Sequence, residues 1–281
     1  MVITTRQLSK SYGKVSALNC VELEVPQGSI YGVLGSNGAG KTTLIRMLVG
    51  LLRPSFGSVE VLGLNPIRER YELRKRIGYM PQSTALYENL SVRDNIVFIG
   101  KAHLIPNLRE KVDQIIEFVG LTTRARDPVN NLSGGMKKRV SLGCALINDP
   151  EIFFLDEPTA SVDPHLKRKS WDLFRKLAAN GATLLISTHL MDEALLCDKL
   201  AIMSKGEIVL VEKPQTILQQ GVLSISMTKK NQIFTELVSA NPKAVAAKLH
   251  DYGLATEIQS VQIGHPNLED IVLQIIDSQN R

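Results

Sequence analysis

A chain of 281 residues, 44% of them hydrophobic, can bury a substantial core and holds one large domain or a medium domain with an appendage. Its formal charge of +5 is mild, and the basic clusters at Lys137 to Arg139, Lys167 to Lys169 and Lys229 to Lys230 are short and lack interleaved aromatics, which reads as solvated helix faces rather than a nucleic-acid stripe. Three scattered cysteines, Cys20, Cys144 and Cys197, make neither a disulfide framework nor a metal site, no run reaches the roughly 18 apolar residues of a spanning helix, and the polar start "MVITTRQLSKSYGK" carries no secretion signal, so a cytoplasmic protein is expected.

In chain order, "CVELEVPQGSIYGVLG" alternates from Val21 to Val25, turns at Pro26 to Gly28 and ends in the apolar run Ile30 to Leu34, which predicts two strands. A helix follows with Leu44, Met47, Leu48 and Leu51 on one face. From about Leu86 to Leu146 the period becomes helical, with Val112, Ile115, Ile116 and Val119 as one stripe, and reads as a helical insertion. Beyond it, "EIFFLDEP" and "GATLLISTH" are short apolar runs bounded by turn residues, the pattern of parallel strands buried on both faces. Composition shifts between Pro214 and Gly221. In the tail, "VLSISM" and "TEIQSVQI" read as strands, and "PKAVAAKLHDYGL" and "NLEDIVLQIID" as helices. The last helix presents Leu268, Ile271, Val272, Ile275 and Ile276 on one face and takes Asn267 as its N-cap. The expected architecture is α/β, with a main domain over residues 1–216, its helical subdomain at about 86–146, and a small α/β extension over 217–281.

Chemistry concentrates first at "GSNGAGKTT", residues Gly35, Ser36, Asn37, Gly38, Ala39, Gly40, Lys41, Thr42 and Thr43, between an apolar strand and a helix. Glycines let backbone N–H groups turn inward, the helix start adds positive dipole, Lys41 can reach β- and γ-phosphates, and Thr42 offers a hydroxyl to Mg²⁺. This is a nucleoside triphosphate site. At the end of the strand in "IFFLDEP", Asp156 is placed to orient a Mg²⁺-bound water and Glu157 to take a proton from an attacking water. A second anion-suited helix start, Ser133, Gly134 and Gly135 in "NNLSGGMKKRVSL", remains to be explained.

These motifs together resemble the ATP-binding cassette (ABC) family over residues 1 to about 220: the phosphate loop, "YMPQ" with Gln82, "LSGGM", "IFFLDE", "SVD" at Ser161 to Asp163 and "STH" with His189 stand in that family's order. The resemblance implies a P-loop ATPase fold with an antiparallel β subdomain and a helical subdomain, acting on ATP with Mg²⁺. It implies that Tyr12 stacks on adenine, a contact of about 1 kcal/mol, that Gln82 touches Mg²⁺ and the attacking water, and that His189 contacts the γ-phosphate and Glu157. Asp163 resembles the residue that communicates between two ATP sites. Ser133, Gly134 and Gly135 resemble a signature loop that binds the γ-phosphate held by another copy, so two cassettes would bury two ATP molecules between them. His103, His165, His250 and His265 match no motif.

Two readings of what the ATPase drives follow from that resemblance. In the first, the chain is the engine of a transporter whose membrane-spanning permease is a separate polypeptide, peripheral on the inner face of the cell membrane; the second cassette is an identical chain or a paralogue, and no nucleic acid is bound. In the second it is a soluble mechanical ATPase acting on ribosomes or DNA, but such proteins resemble tandem cassettes or carry long coiled coils, and no extended heptads occur here. A small-molecule kinase accounts for neither "LSGGM" nor His189. Met136, the basic residues after it and Leu268-Glu269-Asp270 resemble export-type cassettes, including drug-resistance and nodulation-factor exporters.

Overall fold

The computed structural model describes residues 1–160, 162–219, 221–229, 232–252, 258–264 and 268–279. Ser161, His265 and Asn267 lie outside the described residues. The chain forms two compact units, Met1–Ile208 and Val209–Arg281.

The first unit opens with β1 (Ile3–Tyr12) and β2 (Val15–Val25), an antiparallel pair in which Val21, Leu23 and Val25 alternate inward. Next come β3 (Ile30–Leu34), buried along its whole length, and α1 (Lys41–Leu48). The following strand, β4 (Phe56–Val61), returns to the far side of β1 and completes a three-stranded sheet, β2-β1-β4. Short elements α2 (Arg70–Arg76) and β5 (Ile77–Met80) lead into the helical insertion, α3 (Val92–Ala102), α4 (Leu108–Phe118) and α5 (Gly134–Leu146). Val112, Ile115, Ile116 and Val119 are buried there as one stripe. The chain re-enters the core with β6 (Ile152–Asp156), α6 (Pro164–Ala179), β7 (Thr183–Thr188), α7 (Met191–Ala194) and β8 (Lys199–Ser204).

Parallel pairing gives the order β5-β6-β7-β3-β8, and β6 and β7, like β3, are wholly buried. Strand β7 sits between β3 and β6, with Leu34 beside Thr188 and Asp156 beside Ser187. The carboxyl ends of three strands therefore lie together, at the edge where open α/β sheets bind ligands.

Strand β9 (Glu207–Glu212) crosses the division between the units. In the second unit, β10 (Val222–Lys229), β11 (Gln232–Ser239) and β12 (Ile258–Ile263) form an antiparallel sheet ordered β11-β10-β12. Its helices among the described residues are α8 (Pro214–Gln219), α9 (Pro242–Tyr252) and α10 (Leu268–Gln279). Helix α9 packs on β11, with an ion pair from Lys248 to Glu236, and α10 lies against α8. Leu268, Ile271 and Val272 are buried, on the face that the sequence assigns inward.

Three details differ from the sequence reading. The compact units divide at Ile208/Val209, ahead of the boundary at 216/217 expected from the composition shift; Pro214 is the first residue of α8. Leu51 does not continue the face of α1: Gly50, at φ +75°, ends the helix, and Leu51 is 55% exposed. Sequence patterning assigns nothing to 232–239, where Ile233, Phe234, Leu237 and Val238 follow a helix-like spacing; pairing with β10 overrides it.

Candidate active site

The loop between β3 and α1 is held from both sides. Gly35 N–H donates to the Thr188 carbonyl at 3.2 Å, and Ala39 N–H to the Ser36 carbonyl at 3.2 Å. Glycine is required at Gly40, where φ is +106° and a Cβ would stand 2.7 Å from Leu18 Cδ2 and 2.8 Å from the Ala17 carbonyl. A Cβ at Gly35 would stand 2.5 Å from the Met203 carbonyl. Gly40 also caps α1 without a side-chain bond, and the first turn holds no acidic residue, so the first helical N–H groups are left to an anion. Lys41, 5% exposed, donates to the carbonyls of Gly35 at 2.7 Å and Ser36 at 3.1 Å, and its Nζ stands 3.5 Å from Glu157 Oε1.

Asp156 and Glu157 are set by one side chain on the neighbouring strand. Ser187 Oγ donates to Asp156 Oδ1 at 2.5 Å and accepts from Glu157 N–H at 3.0 Å. Asp156 is fully buried, and its other oxygen, Oδ2, has no hydrogen-bond partner among the described residues. A buried acceptor left unmet is rare, and its chemistry fits a water in the shell of a hard cation. Glu157 adopts a left-handed backbone, φ +50°, the kind of local strain that persists where surrounding bonds over-determine it. That backbone turns its carboxylate toward His189, whose Nδ1 is 3.3 Å from Glu157 Oε1.

A cleft of about 250 Å³ is lined by Asn37, Gly38, Gly40, Lys41, Thr42, Thr43, Gln82 and Glu157, together with Ala17. Thus two sequence-distant motifs, the phosphate loop and Gln82, meet Glu157 in one place. Tyr12 lies outside this lining, half exposed on β1 with Lys10 Nζ 5.2 Å from its ring centre. Ser133, Gly134 and Gly135 do not line the cleft either. Ser133 caps α5, accepting from Met136 N–H at 3.3 Å, and a Cβ on either glycine would meet nothing within 4 Å. Asp163 caps α6, accepting from Leu166 N–H at 3.0 Å.

Two residues escape the sequence reading. Ser187 was legible only as part of "STH". Lys138 belongs to a basic run expected to be solvated, yet its Nζ donates to the Glu157 carbonyl at 2.7 Å. Burial lowers its pKa, opposed by the nearby charges of Glu157, Glu193 and Asp156. Arg139 of the same run donates to the carbonyls of Val119 and Gly120, both at 3.1 Å.

A separate groove of about 290 Å³ runs between the helical insertion and the start of the Gln82 loop, lined by Leu51, Pro81, Leu86, Tyr87, Ile99 and Cys144 among others. Burial pushes the Cys144 thiol up to about 12 and lowers the pKa of His103, so both are neutral lining at physiological pH.

The family model for ABC transporters matches residues 18–160. The chain belongs to the ABC transporter family. Among its relatives, the daunorubicin resistance ATP-binding protein DrrA3 of Streptomyces coeruleorubidus is 40% identical over 210 residues, 74% of this chain and 66% of that protein. The Nod factor export ATP-binding protein I of Sinorhizobium fredii is 34% identical over 262 residues, 92% of this chain and 74% of that one. In fold, the chain is similar to the dimeric, post-hydrolysis ATP-binding cassette MJ0796 bound to ADP and Pi, with a TM-score of 0.71 and 25% identity over 75% of this chain and 98% of that one. As an ABC cassette the chain binds and hydrolyses ATP, and cassettes of this family pair and work with membrane permease subunits. Among its described residues, no helix is long and apolar enough to cross a membrane.

Proposed function

We propose that this cassette powers export through a separate membrane-spanning permease, as one of two cassettes that share two ATP molecules at the cytoplasmic face of the membrane. The observation that carries the reading is the division of anion-binding parts. The phosphate loop, Asp156, Glu157 and His189 converge at one sheet edge, while the open glycine helix start at Ser133 lies outside that cleft. A second copy supplies what the first lacks.

In this reading the amides from Gly35 to Thr43 and the Lys41 ammonium hold the β- and γ-phosphates, Lys41 exchanging its bonds to Gly35 and Ser36 for phosphate oxygens. Tyr12 stacks on adenine. Thr42, Gln82 and, through water, the free oxygen of Asp156 would hold Mg²⁺, which supplies charge neutralisation at the phosphates. Glu157 takes the proton of the attacking water, and His189, close to its carboxylate, contacts the γ-phosphate. Ser133 and the amides of Gly134 and Gly135 reach the γ-phosphate held by the partner.

The groove beside the helical insertion is the seat for a short cytoplasmic helix of the permease, since its lining is mainly apolar and borders the Gln82 loop. Export is favoured by the names of the relatives above, a drug-resistance and a Nod factor export protein. Capture with tagged chain from detergent-solubilised membranes tests this: a polytopic membrane protein is expected, lost with Leu51→Glu in the groove. Recovery of ribosomes or DNA alone would overturn it.

A further inference from the structure

Glu193, on α7, is 1% exposed and has no part in the chemistry above. Burying a carboxylate this far is tolerated only with full pairing. Its Oε1 accepts from Thr159 Oγ1 at 2.6 Å and stands 2.9 Å from Lys167 Nζ; its Oε2 accepts from Thr188 Oγ1 at 2.7 Å. Each partner belongs to a different part of the site. Thr159 follows Glu157 by two residues, and Thr188 joins Ser187 to His189. Lys167 lies on α6, whose first turn Asp163 caps. Thr188 is doubly engaged: its hydroxyl also accepts from Leu190 N–H at 3.0 Å, and its carbonyl holds Gly35.

The gap between Glu157 and His189 is spanned by side chains on two different strand ends, β6 and β7. Ser187 ties those ends together at Asp156 and Glu157; Glu193 ties them together again through Thr159, beyond Glu157, and Thr188, directly ahead of His189. We propose that Glu193 is a positioning residue for ATP hydrolysis, holding the segment behind Glu157 and the segment that carries His189 in one register without touching nucleotide. The inference rests on the roles given above to Glu157 and His189.

Steady-state ATP hydrolysis and thermal melting of the full chain with Mg²⁺ test it, with Glu157→Gln and His189→Ala as references. Glu193→Gln and Thr159→Val are expected to lower kcat by about tenfold or more, with KM for ATP within about twofold of the parent. Thr159→Ser keeps the hydroxyl and keeps kcat. The double variant loses less than the product of the two single losses, because both remove one link. Should Glu193→Gln fail to fold, Thr159→Val decides alone, since it leaves the carboxylate with Thr188 and Lys167. A lowered melting temperature at parental kcat would make Glu193 a stability residue only and overturn the proposal. If instead Glu157→Gln and His189→Ala retain parental kcat, the reading of the site itself fails.

Discussion

The phosphate loop and the start of α5 are both glycine-rich helix N-termini, but glycine serves a different need in each. At Gly35 and Gly40 the chain's own atoms exclude a Cβ, and at Gly40 the backbone is left-handed. At Gly134 and Gly135 the chain excludes nothing. Two glycines opening a helix cost up to about 1 kcal/mol each against alanine, and among the described residues no atom stands within 4 Å of where their Cβ would be. Bare backbone at the start of α5 has no packing requirement inside the chain, which is compatible with the proposed meeting with another copy's phosphate.

Substitutions at the two loops should therefore part company. Gly135→Asp is expected to lower hydrolysis by about 10²-fold or more while leaving ATP binding at the chain's own phosphate loop intact. Its melting temperature should stay level or rise, because an acidic residue in the first turn of a helix stabilises it by about 0.3–1 kcal/mol. Parallel melting, ATP-binding and phosphate-release measurements check this; normal hydrolysis would contradict the role in trans. Gly40→Ala should do the opposite to the fold, destabilising it by about 1–2 kcal/mol through the left-handed backbone alone, and weaken ATP binding as well. Denaturant unfolding and nucleotide titration read both effects.

The smallest effect belongs to a control remote from either loop. Glu151, half exposed, takes a bidentate bond from Arg76, and that bond holds its carboxyl below the ordinary value of 4.5. A depressed folded pKa contributes stability that is present above about pH 4.5 and is lost as pH falls through the folded value. With solvent screening the contribution is below about 1 kcal/mol. Glu151→Gln should flatten this acid limb of the stability curve and leave hydrolysis at neutral pH unchanged, so that stability and activity again separate.

What was legible in the sequence follows the same physical line. The phosphate loop is a local feature, a buried strand followed by a turn of defined chemistry, and Asp156 and Glu157, an ordinary strand end by themselves, take their meaning from its presence. The helical insertion was legible from its stripe, and β6 and β7 from short apolar runs. Ser187, Lys138 and Glu193 were not, because each acts across the fold on a residue 19 to 34 positions away. Lys138 is the instructive case: a lysine in a basic run reads as solvated until the tertiary fold presents the Glu157 carbonyl to it. Strand β11 was hidden for a related reason, since its helix-like apolar spacing is overruled by a hairpin partner in β10.

The central claim is that Ser133 to Gly135 complete an ATP site on another copy. Light scattering on Glu157→Gln, with ATP and Mg²⁺, tests it most directly. A dimer is expected with ATP, falling back to monomer when Gly135→Asp or Ser133→Arg is added although both double variants still bind ATP. A monomer in every case, or a dimer indifferent to the second substitution, would contradict it.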